Sequence, residues 1–267
     1  MIRWARDGLV YELELSEPPC NEIGTGMLDA LERFVAEVRV SDARAVILHS
    51  TQPRGFSAGA DLRQLHAAIQ GREPVTYLGE LRAFLDRIHA LMDGLDELPQ
   101  TTIGALHGVC FGGGFELALT CDLLVADRTT RFGFPELRLG LIPGFGGVPR
   151  LRREVSNAVI RDLLLSGRSI NASRAHELGL VSQVVGKGEA LAVARALAGQ
   201  TALFDADVAA RAKAFMKPIP KVELAAEKEL FLSLVAHPRV ERALAAFVAR
   251  TDSMPYLPAQ SSRENGT

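Results

Sequence analysis

Three consecutive glycines, Gly112-Gly113-Gly114, stand between an apolar strand pattern at residues 101–106 and an apolar helical run at residues 115–121. Glycine weakens the interior of a strand or a helix. A triplet therefore belongs at a junction, where the backbone turns sharply or another group comes close to it. A strand that turns at once into a helix leaves the first helical N–H groups without partners. The same grammar appears earlier. A short apolar strand at residues 45–48 leads through the small-residue loop Ser57-Ala-Gly-Ala60 to a helix start at Asp61 or Leu62. Strand, Gly-rich loop, helix and strand again predict an α/β protein of short units.

The rest of the chain fits this plan. Residues 9–15 alternate apolar and polar as a strand does, residues 25–40 form an amphipathic helix, and residues 77–96 form a long one. Strands are predicted at residues 123–126 and near 180–185. Beyond about residue 188 the pattern is helical, with an apolar stripe of Phe231, Leu234, Val235, Leu244 and Phe247 that needs a surface to cover it. The predicted division is an α/β core with the active site over residues 1–190, a helical region over 191–257 and a loose tail over 258–267.

Composition narrows the function. A formal net charge of −2 provides no electrostatic footprint for nucleic acid. No apolar stretch is long enough to span a bilayer, and the N-terminus carries charge where a signal peptide needs an apolar run. Three scattered cysteines, Cys20, Cys110 and Cys121, form no metal-ligand cluster and suit a reducing compartment. A cytoplasmic protein is expected.

Two loops and two carboxylates are the candidates for chemistry. The loop through Ala60 and the triplet through Gly113 both expose backbone N–H groups that could hold an oxyanion. Glu116 lies one turn into an apolar helix, and Glu136 lies in Phe134-Pro135-Glu136. A carboxyl group facing a dry pocket gains proton affinity and can act as a general acid or base. Each feature also has an ordinary reading: Asp61 as a helix cap, Glu116 as a complement to a helix dipole, Glu136 as a partner of Arg138, and His107, His49 and Cys110 as structural side chains. Ser57 lacks the G-x-S-x-G surroundings of a hydrolase nucleophile. The triplet also lacks the G-x-G-x-x-G order of a dinucleotide site.

Taken together and in order, these motifs resemble the crotonase family, also called the enoyl-CoA hydratase/isomerase superfamily. The resemblance runs from strand 9–15 through residues 56–62, 107–122, 132–147 and 165–181, and weakens beyond about residue 188. It implies a crotonase-like spiral of ββα units with a C-terminal helical oligomerisation region, assembled as a homotrimer or a dimer of trimers. It also implies an acyl thioester substrate, with Ala60 and Gly113 as the oxyanion hole and Glu116 and Glu136 as the catalytic pair. The resemblance places Cys20, Glu22, Ala58, Asp61, Leu62, Phe111, Gly112, Phe134, Pro135 and Gly144 around the substrate. No metal or redox cofactor is required, and coenzyme A enters as part of the substrate.

Keeping both glutamates favours hydration of an enoyl thioester, or the reverse dehydration. Isomerisation and a non-catalytic partner subunit are the alternatives. Three positions depart from the hydratase pattern. The early loop Glu17-Pro-Pro-Cys20-Asn-Glu22 is acidic and lacks lysine, which makes an acyl carrier protein an alternative to coenzyme A. Phe134 replaces an often polar residue and is read either as a narrowing of the acyl pocket or as core. Pro149 stands where many hydratases have glutamine.

Overall fold

The computed structural model describes residues 2–250. Among these residues, ten strands form two sheets. The larger has the order β1 (Ile2–Asp7), β2 (Val10–Leu15), β3 (Ala45–Ser50), β5 (Thr101–Leu106), β7 (Leu123–Asp127), β10 (Gln183–Val185). The smaller has the order β4 (Gly55–Ser57), β6 (Val109–Phe111), β8 (Arg131–Gly133), β9 (Ile170–Asn171). β1 and β2 form an antiparallel hairpin, and every other pairing in the large sheet is parallel. The inner strands β3, β5 and β7 are buried along nearly their whole length because both faces of the sheet are covered there.

Helices α1 (Thr25–Arg39), α2 (Leu62–Ile69), α3 (Pro74–Asp96) and α4 (Gly113–Ala118) alternate with these strands. They are followed by α5 (Gly147–Glu154), α6 (Asn157–Ser166), α7 (Ala172–Glu177), α8 (Ala190–Thr201), α9 (Ala206–Met216), α10 (Lys221–Val235) and α11 (Pro238–Val248). Three times the chain makes a strand of the large sheet and then a strand of the small sheet. It continues into α2 after β3 and β4, into α4 after β5 and β6, and into a short 3₁₀ turn, Glu136–Leu139, after β7 and β8. This is the expected spiral of ββα units. Each turn ends at the same edge of the molecule, so the Ala60 loop, the glycine triplet and Glu136 come together.

Local departures have physical reasons. β1 was not anticipated, because only Ile2 of its six residues is buried and its remaining side chains carry no alternating signal. Helix α4 stops at Ala118 rather than continuing to Cys121; turns at residues 119–121 lead to Asp122, whose side chain accepts from the Thr102 N–H and hydroxyl at the start of β5. The first helix past residue 188, α8, packs its alanines Ala190, Ala194 and Ala198 onto Ile47, Ile103 and Val125 of the large sheet. The C-terminal stripe finds its surface within the same chain: Phe231, Val235, Leu244 and Phe247 are buried, with α10 against α3 and α5, and α11 against α2. The part of the predicted helical region and tail beyond residue 250 lies outside the described residues.

Candidate active site

The loop before α2 approaches the triplet through backbone pairing. Ile23 donates to Gly59 O at 2.7 Å and accepts from Asp61 N at 3.1 Å. In extended chain, neighbouring residues present their polar groups to opposite sides. With Gly59 O and Asp61 N turned toward Ile23, the Ala60 N–H is turned away from it. Asn21, fully buried, ties this loop to its neighbours. It donates to Ser50 Oγ and Phe56 O, while its carbonyl accepts from the Ser57 hydroxyl. Asp61 caps α2 by accepting from the amides of Arg63 and Gln64.

Each glycine of the triplet meets a different constraint. Gly112 has φ of +50° and ψ of −128°, and a methyl group there would lie 2.5 Å from Glu136 Oε1. A methyl on Gly113 would lie 2.8 Å from the Phe145 ring and 3.1 Å from the Ala60 nitrogen, so the two amides border one small space. A methyl on Gly114 would strike Ser57, with its backbone oxygen 2.6 Å away. Among the described residues, neither the Ala60 nor the Gly113 amide donates to a protein acceptor.

Ala60 and Gly113 lie on the wall of a cavity of about 700 Å³. Ala58, Ala60, Leu62, Gly112, Gly113, Glu116, Pro135, Glu136 and Gly144 line it together, with Phe145, Phe231, Ala243, Ala246 and Phe247 closing it from the later chain. A smaller apolar side cavity of about 190 Å³ shares Ala60, Leu65, Phe145 and Phe231 with it, and Asp61 lies on that wall. Cys20, Glu22, Phe111 and Phe134 line neither cavity. Cys20 and Phe111 pack with Val109 and Ala58, and burial pushes the Cys20 thiol up to about 11. Glu22 sits 3.9 Å from Arg63. Phe134 stacks on Phe115 at 4.8 Å between ring centroids, as core.

Both candidate acids lie on the cavity wall with carboxyl oxygens sequestered from bulk water. Glu116 is 2% exposed, and its Oε1 accepts from the Phe145 and Gly147 amides at 2.8 and 2.7 Å. Burial pushes its carboxyl up to about 7 against the pull of those amides. Glu136 is half-buried as a residue, yet its Oε2 is sequestered without a partner. Burial, and then the negative charge of Glu116, hold it well above the usual carboxylate range. No group of histidine, cysteine and carboxylate side chains able to hold a metal ion occurs among the described residues.

Three side chains of the site do not stand out in the sequence. Arg150 is wholly buried and donates to the Phe145 and Gly146 carbonyls, fixing the turn before α5. His89 bonds to Gly144 O at 2.9 Å; because a carbonyl only accepts, Nε2 carries the proton. Glu227 of α10 accepts from Val148 N at 2.9 Å. A glutamate between Leu224 and Phe231 on a buried helical stripe is the signal that could have found it. The other ordinary readings were sound for His107, which bonds to Gln52 O, and for Cys110, which is buried with its thiol pushed up by desolvation.

The family described as enoyl-CoA hydratase/isomerase matches residues 6–254. A Bacillus subtilis protein described as "Probable enoyl-CoA hydratase" is 36% identical over 199 residues, covering 72% of this chain and 74% of that one. A Mycobacterium bovis protein of the same description is 32% identical over 251 residues, covering 92% and 93%. The crystal structure of an enoyl-CoA hydratase from Bacillus halodurans superposes with a TM-score of 0.83 over 92% of this chain and 99% of that chain; at 21% identity it speaks for the fold.

Proposed function

This chain belongs to the enoyl-CoA hydratase/isomerase family, and we propose that it adds water to a 2-enoyl thioester, or removes it from a 3-hydroxyacyl thioester, using Glu116 and Glu136. The observation that supports this reading is one cavity lined by Ala60 and Gly113, whose amides have no protein acceptor among the described residues, together with Glu116 and Glu136.

The chemistry follows from the arrangement. A thioester oxygen held by the Ala60 and Gly113 N–H groups draws electrons from the conjugated double bond. The β-carbon becomes electrophilic, and charge developing on the oxygen is stabilised by donors already in place. Glu116, with two amides favouring its anion, takes a proton from water as the oxygen bonds to the β-carbon. Glu136, kept protonated by its dry surroundings and by the charge of Glu116, gives its proton to the α-carbon. Dehydration runs the same transfers backward. The apolar side cavity suits an acyl tail. The substrate arrives on coenzyme A or on an acyl carrier protein, and the reaction needs no metal or redox cofactor.

The test follows loss of enoyl absorbance with thioesters of graded length. Glu116→Gln and Glu136→Gln should each lower turnover by about 10²–10⁴-fold with thioester binding retained. Unchanged turnover in either variant removes the role assigned to that residue.

A further inference from the structure

The turn at residues 145–148 serves two carboxyl groups. Its Phe145 and Gly147 amides donate to Glu116, and the next amide, Val148, donates to Oε2 of Glu227, which arrives from α10. Glu227 is 5% exposed, and its Oε1 is buried without a hydrogen-bond partner. Leu224, one turn earlier on α10, packs over Gly146, where a methyl would lie 2.6 Å from Leu224 Cδ2. The carboxyl is therefore seated in the site by its helix.

The charges around Glu227 come from several elements. Glu116 faces it from α4 and Glu136 from the 3₁₀ turn. Arg150 of α5 is the nearby cation, but its N–H groups go to Asp93, Asp96 and the Phe145 and Gly146 carbonyls. His89 of α3 bonds to Gly144 O, and burial lowers its proton affinity. Two adjacent buried carboxyl groups without a cation bonded to either cannot both be charged cheaply. The one that accepts more N–H bonds ionises first, which is Glu116, with two amides against one.

We propose that Glu227 is a positioning residue for Glu116: a neutral carboxyl that braces the 145–148 turn and keeps Glu116 its only anion. The proposal rests on the reading of Glu116 as the base. Burial, and then the charge of Glu116, push the Glu227 carboxyl up to about 8, so it is neutral below that pH and ionises above it. Ionisation places a second anion behind Glu116 and repels it, and turnover falls on the alkaline side.

The experiment combines pH profiles of kcat and KM with carboxyl titration by NMR of the full chain carrying carbon-labelled glutamate. Glu227→Gln imitates the neutral carboxyl. It should keep kcat within about threefold at neutral pH and lose the part of the alkaline fall centred near pH 8, leaving the part set by loss of the Glu136 proton. Glu227→Ala should lower kcat by about tenfold, a loss within the range of a mispositioned catalytic group, with little change in KM. In Glu116→Gln, the Glu227 titration should move to lower pH, because the charge that held its proton is gone. An alkaline fall near pH 8 unchanged in Glu227→Gln, or a Glu227 titration unmoved in Glu116→Gln, overturns the proposal. If Glu116→Gln shifts that titration yet still hydrates the thioester, the linkage between the carboxyls is supported and the base role of Glu116 is what fails.

Discussion

Two clusters of carboxyl side chains approach α5; burial raises the proton affinity of both, and the cations around Asp96 reverse it there. In one, Asp96 is buried against Arg150 at 2.9 Å, Arg153 at 3.0 Å and Lys217 at 2.8 Å. Burial alone would raise its proton affinity, but Lys217, Arg153 and Arg150 bring it below its ordinary value. In the other, Glu116, Glu136 and Glu227 have backbone amides or nothing as hydrogen-bond partners, and all three are raised. Arg150 stands between the clusters, with its side-chain N–H groups spent on aspartates and carbonyls. A buried carboxylate matched by cations fastens elements together. One left to backbone donors holds a proton that it can exchange.

Exchanging the partners of each cluster tests this contrast. The largest effect is expected in the glutamate cluster. The glutamine variants of Glu116 and Glu136 should lose turnover by the two to four orders of magnitude given above, while thermal melting shows stability kept or gained. A collapse of Tm in either would make these residues structural like Asp96. Next, Asp96→Ala strands Arg150 without its buried partner and should cost roughly 3–5 kcal/mol in denaturant unfolding, with the activity of the folded fraction retained.

Gly112→Ala acts on the geometry between the two loops. Its strained backbone and the collision with Glu136 should cost about 1–3 kcal/mol and lower kcat, read from parallel unfolding and turnover curves. An alanine variant with full activity would show that Glu136 need not stay beside the triplet.

The pH dependence of stability should separate the clusters by sign. Asp96 is depressed in the folded state, so its contribution is present above its ordinary value near 3.8 and is lost as pH falls through the lower folded value. Glu227 is raised in the folded state, so its contribution is full below about 4.5 and is lost as pH rises toward about 8. Glu227→Gln should therefore raise Tm relative to the parent at pH 9 more than at pH 5, and Asp96→Asn should flatten the acid side. Equal shifts at both pH values would contradict the assignment. The smallest effect belongs to a site outside both clusters. Asp61→Ala removes the α2 cap and should cost about 1 kcal/mol in the same unfolding assay.

What the sequence revealed was mainly local. The alternation that buries Leu13 and Leu15, the apolar run that opens β3 and the glycine triplet announce their own structure, because the residues that cause it are adjacent. Glu116 and Glu136 are legible because each follows directly on a structure-breaking motif. The third carboxyl was hidden. Glu227 meets Val148 from 79 residues away, and nothing near Glu227 in the chain says which loop it will face. Arg150 stands beside Arg152 and Arg153 in the chain, and nothing there marks it as buried until α3 supplies Asp93 and Asp96. Phe134 could be pocket or core from sequence, and only its stacking on Phe115 places it in the core.

The central claim is that the uncompensated carboxyl groups perform hydration chemistry beside the paired amides. Incubating the protein with a 2-enoyl thioester in isotopically labelled water, and following enoyl absorbance together with label in the product, tests it most directly. The account predicts loss of absorbance with one labelled oxygen at the β-carbon, abolished in Glu116→Gln and in Glu136→Gln. A folded protein that converts enoyl thioesters without incorporating label, or whose glutamine variants incorporate it at the parent rate, would contradict it.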